Sequence, residues 1–120
     1  MLADRIAKHK VDCYLINTGW TGGKFGRGKR CPLKYTRRII DAVHSGELAR
    51  AQYETFEIFG LSIPIHIEGV PRDLLNPQLA WPDKEAFRKE LRKLAIMFQR
   101  AFSLYKEDVG PEVSLAGPQV

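Results

Sequence analysis

Val11-Asp12-Cys13-Tyr14-Leu15-Ile16-Asn17-Thr18-Gly19-Trp20-Thr21-Gly22-Gly23 runs from a short, nearly all-apolar segment straight into a glycine-rich turn. That order decides the fold class. A run such as Val11 to Asn17 predicts a strand covered on both faces, the pattern of sheets packed between helices. Upstream, Leu2, Ala3, Ile6 and Ala7 recur at helical spacing and predict a first helix. Downstream, Pro32 suits the first turn of a second helix, because the N–H it lacks would have no partner there. Leu33, Thr36, Ile40 and Val43 make that helix's inward stripe. Gly46, just after His44 and Ser45, predicts a left-handed stop. Helix, buried strand, glycine-rich loop and helix together predict an α/β fold.

Farther along, Leu61, Ile63, Ile65 and Ile67 alternate with Ser62, Pro64, His66 and Glu68, which predicts a half-exposed strand. Pro64 lacks a donor for the ladder and so places this strand at a sheet edge. Gly69 to Pro82 is a proline-punctuated connection, with Trp81 as a packing plug, and Asp83 caps the longest helix, from Lys84 to about Lys106. On a helical wheel Phe87, Leu91, Leu94, Phe98, Phe102 and Tyr105 fall within one arc of about 80°. Ile96 faces directly away from that arc. The last ten residues read as a tail. About three helices and two to four strands are expected. A strand buried on both faces needs neighbours on both edges, so the chain is short of strands.

The chain has 120 residues, is 44% hydrophobic and carries a net charge of +5. That size fits one domain or part of one. No apolar run reaches the roughly 20 residues that cross a bilayer, and Asp4, Arg5, Lys8 and Lys10 break up the N-terminal segment. A soluble, cytoplasmic protein without a signal peptide is expected. Cys13 and Cys31 are too few for a disulfide framework, and Cys13 in the apolar run predicts a reduced, buried thiol. The charge is concentrated. Lys24, Arg27, Lys29, Arg30, Lys34, Arg37 and Arg38 lie between Trp20 and Ile40 with no acidic residue, whereas the other twelve Lys and Arg are outnumbered by fourteen Asp and Glu.

Gly22, Gly23, Gly26 and Gly28 sit inside this cationic stretch, where glycine lets backbone amides approach an anion. Strand, glycine-rich basic loop and helix is the arrangement by which nucleotide folds hold phosphate or base near a helix start. It is no Walker loop, since Gly28-Lys29 is followed by Arg30 and Cys31 instead of Ser or Thr. A solvated basic loop whose glycines only shape a turn is the alternative. Polynucleotide binding is not expected, because only Trp20, Phe25 and Tyr35 accompany the cations, and no membrane partner is expected, because no apolar run is long enough to span a bilayer. His9, His44, His66, Cys13 and Cys31 match no metal spacing. Asp4, Asp12, Asp41 and Glu47 read as solvated carboxylates. His44 and Ser45 are helical neighbours that do not face each other, and Glu85 with Lys89 and Glu90 with Lys93 mark a solvated helix face.

Tyr14-Leu15-Ile16-Asn17-Thr18-Gly19-Trp20-Thr21-Gly22, followed by Gly28-Lys29-Arg30-Cys31-Pro32-Leu33-Lys34-Tyr35-Thr36-Arg37, resembles the C-terminal part of ATP-dependent phosphoenolpyruvate carboxykinase. The resemblance continues through Ile39 to Gly46, Phe59 to Pro64, Gly69-Val70-Pro71, Leu74 to Pro77 and Ala116-Gly117-Pro118. It covers nearly the whole chain and separates it from the GTP-dependent class. The resemblance implies that residues 1–120 are a single partial domain, the C-terminal part of a mixed-sheet nucleotide-binding domain in a two-domain enzyme. It also implies conversion of oxaloacetate and ATP to phosphoenolpyruvate, carbon dioxide and ADP at the entry to gluconeogenesis. Arg30, Cys31 and Thr36 then hold the adenine end of ATP, with Cys31 acting through its backbone. The phosphate loop, catalytic residues and ligands for Mg²⁺ or Mn²⁺ are expected upstream, so no catalytic or metal-binding residue is assigned in this chain and the isolated polypeptide is expected to turn over little. A homo-oligomeric parent enzyme is compatible with this. A free-standing nucleotide- or anion-binding module, or an inert fragment, is the runner-up.

Overall fold

Leu2–His9 forms α1, with Asp4 in its first turn and Lys8 and His9 in its last, charges that suit the helix dipole. The structure, a computed structural model, describes residues 2–120. After α1 the chain runs without regular structure to Gly19 and enters a tight hairpin, β1 (Trp20–Thr21) and β2 (Lys29–Arg30). Helix α2 (Leu33–His44) follows, with Pro32 immediately ahead of it. A 3₁₀ turn at Leu48–Arg50 leads to a second antiparallel ribbon, β3 (Tyr53–Thr55) and β4 (Ser62–Pro64). Two one-turn helices, α3 (Arg72–Leu75) and α4 (Pro77–Ala80), precede the long α5 (Lys84–Phe102). A 3₁₀ turn at Lys106–Asp108 and α6 (Pro111–Ala116) close the chain. The mixed α/β class holds, and α1, α2 and α5 are the three expected helices.

The strand expected over Val11 to Asn17 does not form. Leu15 is 93% exposed, Cys13 is exposed instead of buried, and only Tyr14 turns inward against the core. The physical reason is a lack of partners. The described residues pair only as two separate two-stranded ribbons, so no neighbouring strand takes up the backbone donors and acceptors of this segment and water does.

The core is small. Ala42, Leu48, Ile67 and Val70 form one buried cluster, with Ile39, Val43, Leu74 and Leu75 packed around it. The inward face of α2 is therefore Ile39, Ala42 and Val43, while Leu33 and Ile40 of the expected stripe point outward. Gly46 takes φ +79°, and its N–H donates to the Val43 carbonyl at 3.2 Å, the left-handed stop that its position predicts. The alternation expected from Leu61 to Glu68 holds only in its second half, where Ile67 is fully buried and His66 and Glu68 are exposed; Leu61 is exposed, Pro64 is half-buried like Ile63 and Ile65, and the strand itself spans only Ser62–Pro64. Pro64 pairs opposite Tyr53 in a two-stranded ribbon, where both strands are edges.

Asp83 caps α5, its Oδ1 accepting from the Glu85 and Ala86 amides at 2.9 and 3.0 Å. Phe87, Leu91 and Ala95 bury one face of that helix. Phe87 meets Phe56 and Trp81 edge to face at 6.2 and 5.7 Å, and Phe98 meets Phe59 at 5.7 Å. Leu94, Phe98 and Tyr105 from the expected arc remain largely exposed. The last ten residues are not a tail. They include α6, and they are tied down where the Gln119 amide donates to the Ile58 carbonyl and the Gln99 side chain donates to the Pro118 carbonyl, both at 2.7 Å. Among the described residues no helix is long and apolar enough to cross a membrane.

Candidate functional site

The basic stretch folds as a hairpin that delivers the chain into α2. Asn17 starts it, its side-chain oxygen accepting from the Gly19 amide at 2.9 Å. Trp20 pairs with Arg30 and Thr21 with Lys29, and the Cys31 amide extends the ladder to the Gly19 carbonyl at 3.0 Å. The turn closes on Lys24, whose carbonyl accepts from the Arg27 and Gly28 amides at 2.9 and 3.0 Å. Gly28 is required by space: a Cβ there would lie 2.8 Å from the carbonyl oxygens of Thr21 and Gly23. Trp20 and Phe25 stack edge to face at 6.0 Å on the outside of the hairpin.

Cys31 and Thr36 come together at the start of α2. Both are partly buried, and Sγ lies 3.9 Å from Oγ1. Arg30 is exposed on β2 directly before them, and its side chain makes no ion pair or hydrogen bond among the described residues. The guanidinium's planar set of donors is thus available to a ligand. The Cys31 N–H is already used by Gly19, whereas its carbonyl has no backbone partner among the described residues.

Two of the seven cations are neutralised locally. Arg38 donates to Glu47 at 2.6 Å, and Lys24 lies 2.7 Å from Glu90 of α5. Each contact holds the glutamate below the ordinary carboxylate range, through the hydrogen bond first and the cation's charge in addition, with burial opposing. Arg27, Lys29, Arg30, Lys34 and Arg37 have no carboxylate partner among the described residues, so the positive potential stays along the hairpin and the first turns of α2. The sequence pattern gave no sign of the Lys24–Glu90 contact, because Glu90 has nearer cationic neighbours on its own helix and the partner is remote in the chain.

A groove of about 660 Å³ runs along the exposed face of α5 from Glu85 to Arg100, and none of Arg30, Cys31 and Thr36 lines it. Those three residues form an open wall. Among the described residues no three His, Cys, Asp or Glu side chains come together to hold a metal ion.

A family model for phosphoenolpyruvate carboxykinase matches residues 1–73, more than half of the chain and all of the hairpin and α2. The chain belongs to this carboxykinase family. It is 51% identical, over its whole length, to phosphoenolpyruvate carboxykinase (ATP) of Emericella nidulans, of which it covers 20%. It is 48% identical over 99% of its length to the Saccharomyces cerevisiae enzyme of the same name, and 46% identical over its whole length to that of Bradyrhizobium diazoefficiens, covering 22% of each. The chain spans about a fifth of the length of these carboxykinases and matches a segment of them.

Proposed function

We propose that this chain supplies the adenine-side wall of the ATP site in an ATP-dependent phosphoenolpyruvate carboxykinase. The parent reaction takes oxaloacetate and ATP to phosphoenolpyruvate, carbon dioxide and ADP, at the entry to gluconeogenesis in the cytoplasm. The observation that carries this assignment is the meeting of Cys31 and Thr36, 3.9 Å apart, directly behind the exposed Arg30. Each offers something different to a nucleotide. Arg30 stacks on the purine or bonds the ribose, and the Thr36 hydroxyl both donates and accepts. The Cys31 backbone, with its amide engaged by Gly19, presents a carbonyl. A carbonyl accepts from the exocyclic amine of adenine and has no donor to meet at the corresponding oxygen of guanine, which favours ATP over GTP.

The divalent metal implied by the family finds no donor cluster among the described residues, and no step through it is derived from this chain. The segment binds and orients; it does not itself transfer phosphate. Isothermal calorimetry with ATP, AMP and pyrophosphate tests the assignment. Adenine-dependent binding that Arg30→Ala weakens is expected. Binding of pyrophosphate as tight as that of ATP would show a plain anion site instead, and no heat with any of the three would show an inert segment. With oxaloacetate, ATP and Mn²⁺, the isolated 120 residues are expected to give no turnover above the metal-only blank.

A further inference from the structure

The tip of the nucleotide hairpin is held from another element. Lys24 is the pivot of the turn, since its carbonyl takes both the Arg27 and Gly28 amides, and its ammonium lies 2.7 Å from Glu90 on α5. From Lys24 the chain passes through a turn with no room for a side chain at Gly28 and then directly along β2 to Arg30 and Cys31. A displacement at Lys24 therefore shifts the residues of the wall. Glu90 is an acidic position in a cationic surrounding: Arg88, Lys89, Arg92 and Lys93 flank it on the same helix. Lys89 and Lys93 both act on its carboxyl, after Lys24 itself. Without the carboxylate, Lys24 faces these cations with nothing between them, and repulsion drives the turn off the helix.

We propose that Glu90 is a positioning residue for the nucleotide: by holding Lys24 it fixes the turn at residues 24–28 and, through β2, the placement of Arg30 and the Cys31 carbonyl against the purine. This rests on the adenine-wall assignment above. Glu90 touches no part of the wall itself, so its effect is confined to the adenine end. Removing its charge is expected to weaken nucleotides that carry the base and to spare those that do not.

Calorimetric titrations of the polypeptide at the length its gene encodes, with ATP, AMP and pyrophosphate, read this difference. Glu90→Gln is expected to weaken ATP and AMP by about two- to fivefold, the range of an exposed ion pair, with pyrophosphate affinity unchanged. Lys24→Met, made on the loop side, is expected to give the same split without touching α5. The exchanged pair Lys24→Glu with Glu90→Lys is expected to recover most of the ATP affinity. An equal loss for pyrophosphate, or a loss that the exchange does not restore, overturns the proposal. Unchanged ATP affinity in Glu90→Gln, where Arg30→Ala weakens it, overturns the proposal and leaves the wall assignment standing. Unchanged affinity in Arg30→Ala brings down both.

Discussion

At the scale of single residues, the proposed adenine wall depends on groups whose chemistry is legible and on one whose chemistry is not. Thr36 offers a hydroxyl and Arg30 a guanidinium, and both follow from residue type and position. Cys31 is different, because its side chain says nothing about a backbone role; only the 3.0 Å bond from its amide to Gly19 shows which backbone group remains. Thr36→Val keeps the shape and removes the hydroxyl, so ATP affinity is expected to fall by about fivefold, the worth of one hydrogen bond. Cys31→Ala is expected to change it less, and equilibrium binding of the two variants checks the order. Glu47, like Glu90, contributes to the acid behaviour. The hydrogen bond from Arg38 holds the Glu47 carboxyl low, with the guanidinium charge adding to it. The folded state then binds a proton less readily than the unfolded chain, whose glutamates titrate near about 4.3. The stabilisation is therefore full above that value and is lost as pH falls through the lowered one. Thermal midpoints measured from pH 6 down to 3 are expected to fall less steeply in Glu47→Gln than in the parent.

Elements were readable where their signals are local. The Asp83 cap and the Gly46 stop each need only a few adjacent residues, and both are present, while the alternation holds from Ile65 to Glu68 and fails at Leu61. The Val11 to Asn17 strand needed partners, which no local pattern reports, and it stands as an exposed segment with only Tyr14 anchored. Near that anchor the Tyr53 hydroxyl donates to the Leu48 carbonyl at 2.8 Å, and burial first, then Tyr14, pushes its pKa up. The bend at the basic stretch was legible from its glycines, but the strands β1 and β2 were not, because they are two residues each and show no alternation. At this scale the cap is the most direct test. Asp83→Ala removes both N-terminal bonds of α5 and is expected to cost about 1 kcal/mol of stability, seen as a lower denaturant midpoint with an unchanged slope. Ile58, a β-branched residue at φ +67° in the β3–β4 loop, is a second. Ile58→Gly is expected to relieve about 1 kcal/mol of backbone strain, and a drop in the midpoint would show that its packing matters more.

For the whole molecule the balance of surface and core decides what the chain does alone. A folded monomer of 13.7 kDa exposes about 6,600 Å², whereas this chain exposes 9597 Å². Its radius of gyration is 16.0 Å, against about 14 Å for a compact domain of this length. Among the described residues only Ala42, Leu48, Ile67, Val70, Phe87, Leu91 and Ala95 are buried apolar side chains. Large apolar side chains stay in water, several of them on α5, where Ile96 is 39% and Met97 57% exposed and both line the groove. Isolated as these 120 residues, the chain is expected to give a helical far-UV dichroism spectrum with weak near-UV signal, and to bind the dye ANS strongly. Within a carboxykinase of the relatives' length the same α5 face is expected to be covered, so that ANS binding disappears and Ile96→Lys lowers the thermal midpoint by several degrees, as expected for burying an unpaired charge. A sharp two-state melt of the isolated chain without ANS binding, or an unchanged midpoint for Ile96→Lys in the long protein, would mean that the α5 face is a true solvent surface. In that case the thin core suffices by itself, and the exposed area reflects an open shape that needs no partner.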